Sequence, residues 1–163
     1  MDQFNIIKKY AVNYLSKYDS SKKNLKQKLI QKASKFQYDN NNERKIVLEK
    51  INNLIQFFEK NKIIDDYSFA KNKIDKFLNQ GKSKNYIKNS LYRKGISEEV
   101  SNEILKNIEN INPDWLIDSA KKFIIRKKIG KYGNNNDQKK DLSKMARAGF
   151  SYSVAKKVLN IND

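Results

Sequence analysis

The chain has 163 residues, with 35 Lys and Arg against 18 Asp and Glu, a formal net charge of +17 and a sequence pI near 9.8. It contains no Cys and no His, which excludes disulfides, thiolate or imidazole metal sites and the usual nucleophile–base pairs, and so favours a binding protein over an enzyme. The charge points to a polyanionic partner, nucleic acid before an anionic membrane, and no apolar run is long enough to span a bilayer.

Five Gly, one Pro and the lack of any sustained alternation predict an all-α chain. The first helices are expected near Asn5–Ser16, Ser21–Phe36 and Glu43–Asn61, with Ile7, Ala11, Tyr14 and Leu15 inward on the first and Val47, Ile51, Leu54, Ile55 and Phe58 on the third. Gln37–Asn42 between them is polar and reads as a loop. Asp66 is placed to cap the next helix, Tyr67–Gln80, which Gly81 closes; Ser83 and Ser97 then open two more. Asn112-Pro113-Asp114 starts a helix carrying Trp115, Leu116, Ala120, Phe123 and Ile124, and Gly130–Asn134 reads as a flexible connector. The last helices are expected near Asp137–Ala148, with Leu142, Met145 and Ala146 inward, and Ser151–Ile161.

Spacings recur along this series. Ala11/Leu15, Ala70/Ile74 and Ala120/Ile124 are followed by Leu25/Leu29, Ile87/Leu91 and Leu142/Ala146, then by Val47/Ile51, Val100/Ile104 and Val154/Val158. Two Gly-apolar-Ser corners, Gly95-Ile96-Ser97 and Gly149-Phe150-Ser151, hold the same phase. The pattern predicts three tandem three-helix, helix-turn-helix-like units over residues 1–64, 65–111 and 112–163, arranged as an elongated, curved array. Basic residues outnumber acidic ones 14 to 6, 9 to 7 and 12 to 5 in these units, so the outer two carry most of the charge. Lys82, Lys84, Lys88, Tyr92 and Arg93 lie off the inward face of one helix, and Lys139, Lys140, Lys144 and Arg147 off that of another. With Arg126 they are the candidates for contact with phosphate or an acidic protein surface, and Tyr18, Tyr92 and Tyr132 for stacking on bases.

Several of these residues form a pattern that resembles the RecX family of bacterial recombination regulators. It comprises Ile63-Ile64-Asp65-Asp66-Tyr67-Ser68-Phe69-Ala70, Gly81-Lys82-Ser83, Lys94-Gly95-Ile96 and Arg147-Ala148-Gly149-Phe150-Ser151-Tyr152, with Ala11–Leu15 and Leu25–Leu29 matching the opening. Unit one departs from it, with Gln31–Phe36 where the family has a Lys-Gly-aromatic corner. The resemblance implies three helical repeats that bind the RecA filament on single-stranded DNA and inhibit its ATP hydrolysis, strand exchange and co-protease activity, with direct binding to single- and double-stranded DNA in some members. Asp65, Asp66, Phe69, Ala70, Gly81, Gly95, Gly149 and Phe150 would then be mainly structural. No metal or cofactor is expected, and a cytoplasmic monomer is. The alternative from a different class is a helix-turn-helix protein acting on duplex DNA without RecA.

Overall fold

The computed structural model describes residues 3–134 and 137–161, which form nine α-helices and one 3-10 turn with no strand among them. The helices are α1 (Gln3–Leu15), α2 (Lys22–Ala33), α3 (Asn41–Lys60), α4 (Asp66–Asn79), α5 (Lys84–Arg93), α6 (Glu98–Ile111), α7 (Trp115–Lys127), α8 (Gln138–Arg147) and α9 (Tyr152–Leu159). The 3-10 turn is Gly130–Tyr132. Two compact units are present: one runs to Phe69 and includes Lys94–Ile96, and the other holds Ala70–Arg93 and the chain from Ser97 onward.

In the first unit the core is built from Ile7 and Ala11 of α1, Leu25, Leu29 and Ala33 of α2, and the α3 stripe Val47, Ile51, Leu54, Ile55 and Phe58, closed by Ile64. Tyr14 and Leu15, expected inward, are half-buried at its edge. Leu25, Leu29 and Ile51 are wholly covered, and each such side chain contributes about 1.5–3 kcal/mol on leaving water. Helix α3 starts two residues before the expected Glu43. Asn40 caps it, accepting from the Glu43 N–H at 2.9 Å, and the Glu43 carboxylate accepts in return from the Asp39 N–H at 3.1 Å. Helix α2 is shorter than expected because its end tightens into i→i−3 bonds, Phe36 N–H to Ala33 O at 3.1 Å among them.

The paired aspartates divide their work differently from the expectation. Asp65, not Asp66, caps α4, taking the Tyr67 N–H and the Ser68 hydroxyl, both at 3.0 Å. The Asp66 carboxylate instead accepts the Lys22 N–H at 2.8 Å and so caps α2, an element 44 residues away. A first-turn acid is indistinguishable in sequence from a cap one residue earlier; only the folded chain shows which orphan N–H each meets.

In the second unit a cluster of Ala120, Phe123 and Ile124 from α7 packs with Ile129, Met145, Phe150, Ala155 and Val158. Phe123 and Phe150 rings lie 5.3 Å apart. Trp115 is buried, as expected, while Ala146, expected inward, is exposed. The inward positions of α8 are Met145 and, one turn earlier, Asp141, whose carboxylate is buried. Asp141 accepts the Gly130 N–H at 2.8 Å and faces the Lys144 ammonium at 3.0 Å. That bond and the buried Ile129 fix the start of the 130–134 segment, so the expected flexible connector is a held turn.

Candidate functional site

Helix ends position the site, and they follow one rule. At Gly81 and Gly149, and equally at Lys62 and Lys128, the chain leaves a helix through the left-handed region, with φ of 64°, 86°, 56° and 52°. Each closes with the paired bonds of a Schellman turn, as in Phe150 N–H to Met145 O at 3.1 Å and Ile129 N–H to Ile124 O at 2.9 Å. Glycine stands where another element approaches. A Cβ on Gly81 would lie 2.8 Å from the Ser119 carbonyl and the Phe123 nitrogen, and one on Gly149 would lie 2.7 Å from Ser83 Oγ. Gly95, with φ of 79°, would likewise press a Cβ into the Lys23 side chain. Lysine stands at Lys62 and Lys128, and no glycine is needed for space there.

A second use of serine was not visible in the sequence. Ser21 and Ser83 cap α2 and α5 by accepting from the Asn24 and Tyr86 N–H groups, both at 3.2 Å. Each hydroxyl also donates to the carbonyl just before a corner glycine: Ser21 to Lys94 O at 2.5 Å and Ser83 to Ala148 O at 2.6 Å. Ser119 makes a related bond to Lys82 O at 2.6 Å. These hydroxyls act as latches, and both capping serines are buried. Ser97 and Ser151, by contrast, cap α6 and α9, accepting from Val100 and Val154, and are exposed. Ile96 and Phe150 fold back into the core at the two corners, as the Gly-apolar-Ser motif predicts.

All ten candidate contact residues fall in the second unit. On α5, Ile87 and Leu91 are buried, which leaves Lys84, Lys88 and Tyr92 on one face at four-residue steps, Tyr92 with 74% of its surface exposed. The Ser83–Ala148 latch sets the start of α5, with Lys82 and Lys84, against the end of α8, where Arg147 lies. Several of these cations already have partners. Lys88 meets Glu98 at 2.7 Å, Lys84 meets Glu109 at 4.0 Å, Lys140 meets Asp137 at 3.2 Å and Lys144 meets Asp141 at 3.0 Å. The Lys88 hydrogen bond holds the Glu98 carboxyl below its ordinary range, and backbone N–H donation from Lys140 does the same for Asp137. Lys82 lies over the Tyr86 ring at 4.3 Å and Arg126 over that of Phe123 at 5.8 Å, and Arg147 Nε donates to Ser143 O at 3.3 Å. Arg93 and Lys139 are exposed and have no carboxylate partner among the described residues.

The motif residues Phe69, Ala70, Gly81 and Phe150 are buried, and Gly95 and Gly149 sit at the corners. Among the described residues no group of three or more His, Cys, Asp or Glu is placed to hold a metal ion, and no helix is long and apolar enough to cross a membrane.

The capped helices and glycine corners define an all-α helical protein of the architecture seen in two solved structures. One is a crystal structure of regulatory protein RecX, with a TM-score of 0.71 and 21% identity, covering 99% of this chain and 73% of that one. The other, RecX from Lactobacillus salivarius, has a TM-score of 0.69 and 20% identity over 99% of both chains. No protein-family model matches the chain. It is 26% identical over 158 residues to the regulatory protein RecX of Myxococcus xanthus, covering 93% of this chain and 83% of that protein. To the RecX of Clostridioides difficile it is 31% identical over 158 residues, 94% of this chain and 66% of the relative. The chain belongs to the RecX family of regulatory proteins.

Proposed function

We propose that this protein is a negative modulator of the RecA recombinase, acting in the cytoplasm as a monomer. It lies in the groove of the RecA filament assembled on single-stranded DNA and inhibits ATP hydrolysis, strand exchange and co-protease activity, and so regulates recombination, repair and the SOS response. The observation that carries this reading is family membership, and the cationic faces of α5 and α8 support it: a surface of this kind suits a nucleoprotein groove that offers phosphate and acidic side chains together. The recurrence of the glycine corner and of the serine latch supports three three-helix repeats over 1–64, 65–111 and 112–163 as the unit of construction. Asp65, Asp66, Gly81, Gly95 and Gly149 build that framework, and Arg93, Lys139, Lys82 and Tyr92 are the contacts with the partner.

The test is DNA-dependent ATP hydrolysis by the cognate RecA on single-stranded DNA, with and without this protein. Inhibition at less than one molecule per RecA is expected; unchanged hydrolysis at excess protein overturns the reading. Tight, sequence-selective binding to duplex with no effect on RecA would establish the helix-turn-helix alternative instead.

A further inference from the structure

A cleft opens in the first unit beside the core and the α4 cap. It lies between the α1–α2 corner and the α3–α4 corner, encloses about 450 Å3, and is lined by Tyr18, Asp19, Ser20, Lys62, Ile63 and Ser68 among others. Two large apolar groups stand exposed there, Tyr18 at 58% and Ile63 at 50%. Neither is a frayed end. The Tyr18 ring lies 5.2 Å from that of Tyr14, whose hydroxyl accepts from Asn24 Nδ2 at 3.2 Å, so one side of Tyr18 is backed by a fixed ring. Ile63 is held by its N–H bond to Phe58 O at 2.8 Å, one residue after the left-handed Lys62 and one before the buried Ile64.

The polar groups narrow the ligand. The Asp65 carboxylate, also at the cleft, is engaged by Tyr67 and Ser68, and Asp19 has no partner among the described residues. Two carboxylates lining one cleft disfavour a phosphate within it, whereas Asp19 can accept from the N–H edge of a neutral base. Cations stand at hand for the adjoining backbone: Lys62 lines the cleft and Lys17 precedes Tyr18, in a stretch of 64 residues with 14 basic and 6 acidic side chains. We propose that this cleft receives an unstacked base of a single-stranded nucleic acid, with Tyr18 as the stacking wall, Ile63 opposite it, Asp19 on the base edge and Lys62 on a neighbouring phosphate. This rests on the reading that the chain's positive surplus meets nucleic acid, and adds a base contact to it.

The test titrates the full chain against a fluorescent single-stranded oligothymidylate of about 15 nucleotides and a duplex of the same length, across salt concentrations. Tyr18→Ala is expected to weaken single-strand binding by about 5- to 150-fold, the range that loss of one stacked base implies, with the salt slope and duplex binding unchanged. Tyr18→Phe keeps the ring and should bind within about twofold of the native chain. Equal single-strand affinity for Tyr18→Ala, or an equal loss on duplex, overturns the base site while leaving the polyanion reading intact. If the native chain binds neither oligonucleotide, both fall. Tyr18 is more than half exposed and its ring packs against Tyr14, so the urea midpoint of Tyr18→Ala should fall slightly; a large drop would make Tyr18 structural and overturn the proposal.

Discussion

Lys62 and Lys128 hold a backbone conformation that L-residues adopt reluctantly, and the charge partner of Lys62, Asp65, is met at the surface. Lys62→Gly and Lys128→Gly should therefore each raise stability by up to about 1 kcal/mol, read as a higher urea midpoint with unchanged slope. Gly149→Ala should do the reverse and cost more than that, because φ is 86° and the new methyl would meet Ser83 Oγ. At the aspartate pair the signs oppose. The Ser68 hydroxyl, foremost, holds the Asp65 carboxyl below its usual 3.8, so its contribution is present above that value and is lost as pH falls through the folded pKa. Burial pushes the Asp66 carboxyl above 3.8 despite the Lys22 N–H, so its contribution is full below 3.8 and is lost as pH rises through the folded pKa. Urea midpoints measured through the acid range should thus climb more steeply with pH in Asp66→Asn than in the native protein, and less steeply in Asp65→Asn.

Between helices, the buried serines cap one helix and latch onto a distant main-chain carbonyl, whereas the exposed ones bond beyond the cap only to neighbouring side chains. Ser83→Ala leaves both the Tyr86 N–H and the half-buried Ala148 carbonyl without a partner and should cost about 2–4 kcal/mol; Ser21→Ala should match it. Ser97→Ala and Ser151→Ala remove a cap and otherwise only a bond to an exposed side chain, Glu99 or Ser153, which water replaces, and should cost about 1 kcal/mol each by the same denaturant measurement. This contrast also marks how far the sequence could be read. Helix positions, the full α3 stripe and the two Gly-apolar-Ser corners follow from periods and caps, which are local properties. The latches, the long-range cap from Asp66 and the buried Asp141 are not local: the acceptor or donor lies 73, 44 and 11 residues away, and a serine or aspartate at a helix start looks complete without it. Ala146 faces outward against its spacing for the related reason that the α8 stripe runs through a charged residue, Asp141, which periodicity counts as surface.

At the scale of the molecule, net charge overstates what is free to act. The cations on α5 and α8 that read alike in sequence separate into those facing a carboxylate, Lys84, Lys88, Lys140 and Lys144, and those facing none among the described residues, Arg93, Lys139 and Arg147, the last donating to Ser143 O. An exposed pair contributes little to stability, but its carboxylate must be displaced or screened before the cation meets a phosphate. On the proposed function, the double variant Arg93→Ala/Lys139→Ala is therefore expected to weaken inhibition of RecA hydrolysis and to lower the salt slope of any DNA binding by about one to two ion equivalents, while Lys88→Ala changes the slope by less.

The serine latches bond to main-chain oxygens, and a main-chain oxygen is present whatever residue supplies it. The two acceptors here are a lysine and an alanine, with no chemistry in common. Selection on such a joint sees one hydroxyl and one small residue beside it, so drift is free to rewrite the rest of the surface; proteins sharing about a fifth of their residues with this chain still superpose on it.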